Sequence, residues 1–312
     1  MTVLEPIVVQ AQSWIMQNLT DLIITILGSF LAFFVALFIH RKQVRLAAER
    51  KETETIKEYI YRLRYFSLSV AKVIESVEEQ VDNYATLARR MKMNPHDTHL
   101  VKLLAFNDFR RISQMDSQEI FKSYLHLSGE NDTSIHQYHK IYRSLDFIEA
   151  ALNQQMSSLE KNHQFVHADQ TRVKDLINGL SDDIASVLFQ LAREYGDKEF
   201  SVDPAVKVLE DYLSKYMDLV KRKAFIYDFE LEFSKPFREI MIKSFKAYNF
   251  TDYLVDKSRK AAVILEHIKF NSLEFTKQVE QINADIKRVL DGLNTANNEI
   301  ASQIERFSSK EK

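Results

Sequence analysis

Residues 22–39 read LIITILGSFLAFFVALFI, a stretch of 18 residues without a charged side chain. Thr25 and Ser29 are its polar residues. At 1.5 Å per residue an α-helix of this length reaches about 27 Å, close to the ~30 Å of a bilayer core. A buried core helix of this length would normally have a polar face, and this stretch has none. The stretch therefore predicts a transmembrane helix.

The residues on either side of the stretch predict its orientation. No Lys or Arg occurs in residues 1–20. Five basic residues follow the stretch closely: Arg41, Lys42, Arg45, Arg50 and Lys51. Because basic flanks stay on the cytoplasmic side, we expect the N-terminus outside and residues 40–312 in the cytoplasm. The chain is thus expected to cross the lipid bilayer of the inner (plasma) membrane once.

Small residues recur within the predicted span at Gly28, Ala32 and Ala36. Spacing of four places them on one stripe of the helix, where two membrane helices can approach closely. Chance is the alternative, because small residues are common in such helices. The stripe predicts self-association into a homo-oligomer.

Composition favours an all-α fold for the rest of the chain. Only 5 Gly and 4 Pro occur in 312 residues, which argues against β-sandwiches, barrels and Gly-rich nucleotide-binding sheets. The absence of Cys excludes disulfides, thiol nucleophiles and Cys-based metal sites. A formal charge of −2 gives no signal for nucleic-acid binding.

Two regions carry heptad repeats typical of coiled coils. The first has interleaved series on one helix: Ile56, Leu63, Val70, Val77, Tyr84 and Met91, with Ile60, Ile74, Val81 and Ala88. The second lies at the C-terminal end: Val279, Ile286, Leu293, Ile300 and Phe307, with Ile268, Phe275, Ile282, Val289 and Ala296. The repeats pair either within the chain or between copies. For pairing between copies the candidate residues are Val279, Ile282, Ile286, Val289 and Leu293.

The sequence suggests five segments. They are an extracytoplasmic N-terminus (1–21), the transmembrane helix (22–39), a long membrane-proximal heptad helix (40–94), a helical bundle (95–250) and a C-terminal coiled-coil helix (251–312). The membrane helix is expected to continue unbroken as far as Asn94-Pro95.

Within the bundle, breaker residues predict the helix boundaries. The loop 128–134 is expected to separate helices near 99–127 and 135–162. Further breaks are expected at Asn178-Gly179, at Gly196-Asp197 and at Lys235-Pro236. Asp203 before Pro204 predicts a helix start, with Asp as the cap and Pro in the first turn.

His163 and His167 are candidate metal ligands. Their i,i+4 spacing places two imidazoles on one helix face, and Asp169 is a possible third ligand. A polar, solvated helix end explains the same residues, and no cofactor is predicted.

Arg90 and His96 are candidate catalytic residues. Their spacing resembles the R-x(4–6)-H pattern of helical HEPN-type ribonucleases. That resemblance implies an Arg that holds a phosphate and a His that acts as general acid or base. Asn94-Pro95 within the spacer ends the helix on which such a pair sits, so exposed loop residues are the alternative.

Residues 138–148 read YHKIYRSLDFI and, with the helix before them, resemble bacterial membrane-anchored helical proteins, including phage abortive-infection proteins. Those proteins often have two spans, and this chain has one predicted span. The resemblance implies a role in defence at the inner membrane.

The leading prediction is a non-enzymatic, self-associating scaffold that presents its cytoplasmic helices to a protein partner of unknown identity. The alternative is a defence effector that permeabilises the membrane or cleaves RNA. Loss of function on mutation of Arg90 and His96 would indicate the nuclease, and dye leakage from expressing cells would indicate the pore.

Overall fold

The computed structural model describes residues 5–105, 107–200 and 202–310, and every regular element in these ranges is helical. This confirms the all-α prediction. The elements in chain order are α1 (Glu5–Met93), α2 (Asn107–Ser113), α3 (Ser117–Ser128), α4 (Asp132–Phe200), α5 (Pro204–Lys221), α6 (Ile226–Phe229), a π-helix (Glu230–Ser234), α7 (Lys235–Ser244) and α8 (Thr251–Lys310).

Helix α1 is continuous over 89 residues, so the apolar stretch and the heptad region lie on one helix as predicted. The helix ends immediately before Asn94-Pro95. Pro95 disfavours helical backbone at Asn94. The N–H of Asn94 donates the last hydrogen bond of the helix, to the carbonyl of Arg90 at 2.9 Å. Ile56 is the first described side chain of α1 that packs against the core of the domain.

Several other helix ends follow from the local sequence. The Asp203 carboxylate accepts the N–H of Ala205 at 2.7 Å and caps α5, as predicted. Gly129 terminates α3 with φ of 88°, a backbone conformation that glycine adopts without a Cβ clash. α8 begins at Thr251, the boundary expected for the C-terminal helix.

The breaks predicted at Asn178-Gly179 and Gly196-Asp197 are wrong, because α4 runs through both. Gly179 lies under α8, where a Cβ would come within 3.2 Å of Lys257 Nζ. The glycine therefore allows close contact between two helices and does not end one.

Two further boundaries differ from the sequence prediction. Residues 98–105 are not helical, and the helix expected near 99–127 is replaced by α2 and α3, with Asp116 capping α3. At Lys235-Pro236 the π-helix passes directly into α7 without a break. Pro236 lies in the first turn of α7.

The hydrophobic core has two main parts, called here the proximal and distal lobes. The proximal lobe joins α1, α2, α3, the first part of α4 and the last part of α8. The distal lobe joins the later part of α4, helices α5 to α7 with the π-helix, and the first part of α8. A smaller cluster connects them and contains Tyr84, Leu87, Met91, Leu159, Phe275 and Val279.

The two heptad regions pack against each other within the chain. α1 and α8 run antiparallel, since Lys92 Nζ lies 2.6 Å from Glu280 Oε1 and Arg64 Nη2 lies 3.4 Å from Ser308 Oγ. A buried amide pair reinforces the packing, because Gln155 donates to Asn283 at 2.8 Å. Asn283 in turn donates to the carbonyl of Val81 at 3.2 Å and so links α1, α4 and α8.

Candidate functional site

The large apolar side chains that the structure describes in the apolar stretch of α1 are not covered by the rest of the protein. Among the described residues, one helix is long and apolar enough to cross a membrane, and none of its most apolar window is buried. Nine large apolar side chains from Ile24 to Ile39 are 49–70% exposed. In water this surface would be strongly unfavourable, so a nonpolar medium or a partner has to cover it.

Gly28, Ala32 and Ala36 lie on this uncovered part of α1. A Cβ placed on Gly28 would meet nothing within 4 Å. The stripe is therefore open to a neighbouring helix, and self-association through it stays a prediction.

The five C-terminal candidates for self-association lie inside the domain. Val279, Ile286 and Leu293 are at most 1% exposed, and Ile282 and Val289 pack partly buried against the proximal core. Within the single chain these side chains are already covered, and assembly through them stays a prediction that this packing does not support.

Arg90 and His96 have different surroundings. Arg90 is exposed near the end of α1, whereas His96 is 6% exposed and stacks on Tyr227 of the distal lobe. The interpretation of His96 as an exposed loop residue is therefore wrong. Burial lowers the pKa of its imidazole, and His96 Nε2 is buried without a hydrogen-bond partner. A general acid or base has to reach its substrate, and His96 lines an open cavity with Tyr227, Asp228 and Lys269, whereas Arg90 is not among the residues that line it.

His163 and His167 lie on α4. His163 and the neighbouring Asp169 make contacts with other parts of the protein. His163 Nε2 lies 2.8 Å from the carbonyl of His99 and fixes the segment that follows α1. Asp169, the suggested third ligand, contacts Arg172 at 3.2 Å and His267 at 3.4 Å. The described residues contain no group of three side chains suited to hold a metal ion.

A buried polar cluster in the distal lobe was missed at the sequence level. Arg238 contacts Glu230 Oε1 at 3.0 Å and donates to the carbonyl and hydroxyl of Ser258 at 2.9 and 2.8 Å. The Ser234 hydroxyl lies 2.8 Å from that of Ser258. Glu230 begins the π-helix, a feature often found at functional sites, and its Oε2 is buried without a partner. The i, i+4, i+8 spacing of Glu230, Ser234 and Arg238 was the available signal.

An apolar strip on the outside of α1 was also missed. Tyr61, Tyr65 and Leu68 are 72%, 51% and 58% exposed, respectively. Their spacing of four and three places them on one side of the helix, opposite the buried core residues of α1. We call these three residues the outer strip. Their spacing can be read from the sequence, but the heptad series on the same helix is the more prominent pattern.

A scan against protein-family models gave no match to this chain, and neither curated proteins nor solved structures gave one.

Proposed function

We propose that the chain is a single-pass membrane protein whose helical domain lies in the cytoplasm, self-associates and serves as a protein-binding scaffold. The observation that carries this proposal is the exposure of the nine large apolar side chains described between Ile24 and Ile39, on the same helix that forms part of the proximal core.

The length and charge of the apolar segment support insertion into a bilayer. Its 18 uncharged residues match the thickness of a hydrocarbon core, and Arg41, Lys42 and Arg45 follow directly on one side. In that orientation the two lobes lie on the cytoplasmic side.

The segment between the membrane and the domain supports the role of a spacer. From Ile39 to Ile56 the helix rises by about 25 Å and carries mostly polar or charged, exposed side chains. This spacer holds the lobes away from the lipid surface, where a protein partner has access to them.

Self-association is expected within the span. In lipid, helices gain little from the hydrophobic effect and associate where small residues permit close packing. Gly28, Ala32 and Ala36 supply such a surface, which is open in the single chain.

The proposal is tested by expressing the full chain in bacterial cells and washing the membranes with alkaline carbonate. We expect the protein to stay in the pellet, a C-terminal green fluorescent fusion to fluoresce and an alkaline phosphatase fusion to be inactive. Replacing Leu31 and Phe34 by Arg should move the protein to the supernatant, because each charge costs about 3 kcal/mol at the centre of a span. Release of the wild type by carbonate would contradict anchoring, and an active phosphatase fusion would contradict the orientation.

A further inference from the structure

The outer strip is part of the proximal lobe, but no other described element of the domain covers it. Each of its side chains is more than half exposed, whereas Leu63, Phe66 and Val70 of the same helix are at most 1% exposed. The strip consists of two tyrosines and a leucine on one side of the helix. Aromatic residues are enriched at the centres of protein interfaces, where charged residues are depleted.

The outer strip and the small-residue stripe lie on the same side of α1. Ala32 and Leu68 are 36 residues apart (68 − 32), which at 3.6 residues per turn is about ten full turns. α1 is continuous between the two surfaces. A second helix that packs along the small-residue stripe in the membrane and continues parallel to α1 therefore reaches the outer strip in the proximal lobe.

Charged residues between the two surfaces favour a second copy. Arg50, Glu54 and Lys57 are exposed on this side of α1 and take part in no ion pair within the described ranges of the chain. In two parallel helices in register, each of these residues lies opposite its own copy, and the Glu54 carboxylate of one chain also lies only three or four residues along the helix from Lys57 and Arg50 of the other, so that it can pair with either.

We infer that the outer strip binds the outer strip of a second copy, which gives a parallel dimer that extends from the membrane into the proximal lobe. This inference rests on the proposed membrane function, because two copies inserted in the same orientation present α1 at the same depth. Like positions of the two helices then face each other. Tyr61 and Leu68 pack around the two-fold axis, and the charged segment fixes the register.

The chain has no Cys, so single cysteines can be introduced without a background. A disulfide forms readily only where two Cα atoms come within about 7 Å. We expect Y61C and L68C to give the disulfide-linked dimer as the main product when membranes are oxidised. E52C, on the opposite side of α1, and V263C, on an exposed part of α8, are the matched controls and should stay monomeric.

Expressing two differently tagged copies together identifies the partner that binds the outer strip. A product that carries both tags supports a second copy of this chain, whereas a product with one tag and another mass shows a different protein and overturns the inference. Dimer formation at E52C and V263C equal to that at L68C would indicate random collision and would also overturn it.

A second variant tests the strip without a cysteine in it. R50C should cross-link in the otherwise native chain and should lose its dimer when Tyr61 and Leu68 are replaced by Glu. Replacing Val263 by Glu should leave the R50C dimer unchanged. Circular dichroism of the Tyr61/Leu68 variant should match the wild type, because both positions are exposed. Retention of the R50C dimer in this folded variant would overturn the inference.

Failure of the inference and failure of the proposed function give different results in the same samples. If the chain resists carbonate and A32C cross-links while Y61C and L68C do not, association is confined to the membrane and the outer strip is not an interface. If carbonate releases the chain while Y61C and L68C cross-link, the membrane function fails and the dimer does not extend from the membrane, whereas the contact between the two outer strips stands.

Discussion

Tyr227 stacks on His96 with ring centroids 4.2 Å apart and ring planes 10° apart. The contact joins the loop that follows α1 to the distal lobe. Gln170 Nε2 adds a hydrogen bond of 2.6 Å to the carbonyl of His96. The junction between α1 and the distal lobe therefore depends on a buried imidazole.

The first prediction is acid sensitivity of this junction. Burial lowers the pKa of His96, and Lys269 nearby acts in the same direction, while Glu266 and Asp97 oppose it. Below about pH 6.5 the unfolded state binds more protons at this site than the folded state, so stability falls as the pH falls. We expect the melting temperature of the detergent-solubilised protein to drop between about pH 7.5 and about pH 5.5.

H96F should reduce this drop, because phenylalanine retains a ring for stacking and takes up no proton. Replacing the exposed His136 by Gln is the control and should leave the pH dependence as in the wild type. An unchanged pH dependence in H96F would show that other groups cause the acid sensitivity.

The second prediction concerns the core position Ile286. I286D places a carboxylate at a position that is 0% exposed in the proximal lobe and should lower the free energy of unfolding by about 4 kcal/mol or more. V263D introduces the same charge at a site that is 69% exposed and should change it by less than about 0.5 kcal/mol. Thermal unfolding followed by circular dichroism measures both. Equal stability of the two variants would contradict the packing of α8 against α1.

The third prediction concerns Asp203, which has two partners. Its Oδ1 accepts the N–H of Ala205 at 2.7 Å and the hydroxyl of Tyr248 at 3.1 Å. D203A should cost about 2 kcal/mol, because the cap of α5 and this second hydrogen bond are lost together. D116A removes the cap of α3 and should cost about 1 kcal/mol. D203N retains an acceptor and should be close to the wild type in chemical denaturation.

The fourth prediction concerns the buried ion pair of Glu230 and Arg238. R238M leaves a buried carboxylate unpaired and should cost roughly 3–5 kcal/mol. E230Q should lessen that cost when it is combined with R238M, so that the double variant is more stable than R238M alone. A double-mutant cycle by urea denaturation measures the coupling, and additive effects would show that the two side chains act independently.

The long, regular features of the chain were predictable from sequence. The apolar stretch, the continuation of α1 to Met93 and the start of α8 rest on many residues that favour the same structure. The cap at Asp203 was predictable because its partner lies two residues away.

Features set by distant residues were not predictable. Gly179 has the local signature of a break, but its role depends on Lys257, 78 residues further along the chain. The burial of His96 likewise depends on Tyr227. Heptad spacing alone also does not say whether two repeats pair within one chain or between copies.

Helix α8 contributes to both lobes, and it follows every other described element along the chain. During synthesis, neither lobe can therefore complete its core before its part of α8 has been made. Residues 254–268 of α8 emerge from the ribosome before residues 286–304, so we expect the distal lobe to close first and the proximal lobe last. In the interval, the core-facing side of α1 is exposed on a helix whose apolar segment has already been made. Nascent chains are thus expected to be most open to chaperones, and to mispairing with neighbouring nascent chains, just before translation of α8 is complete.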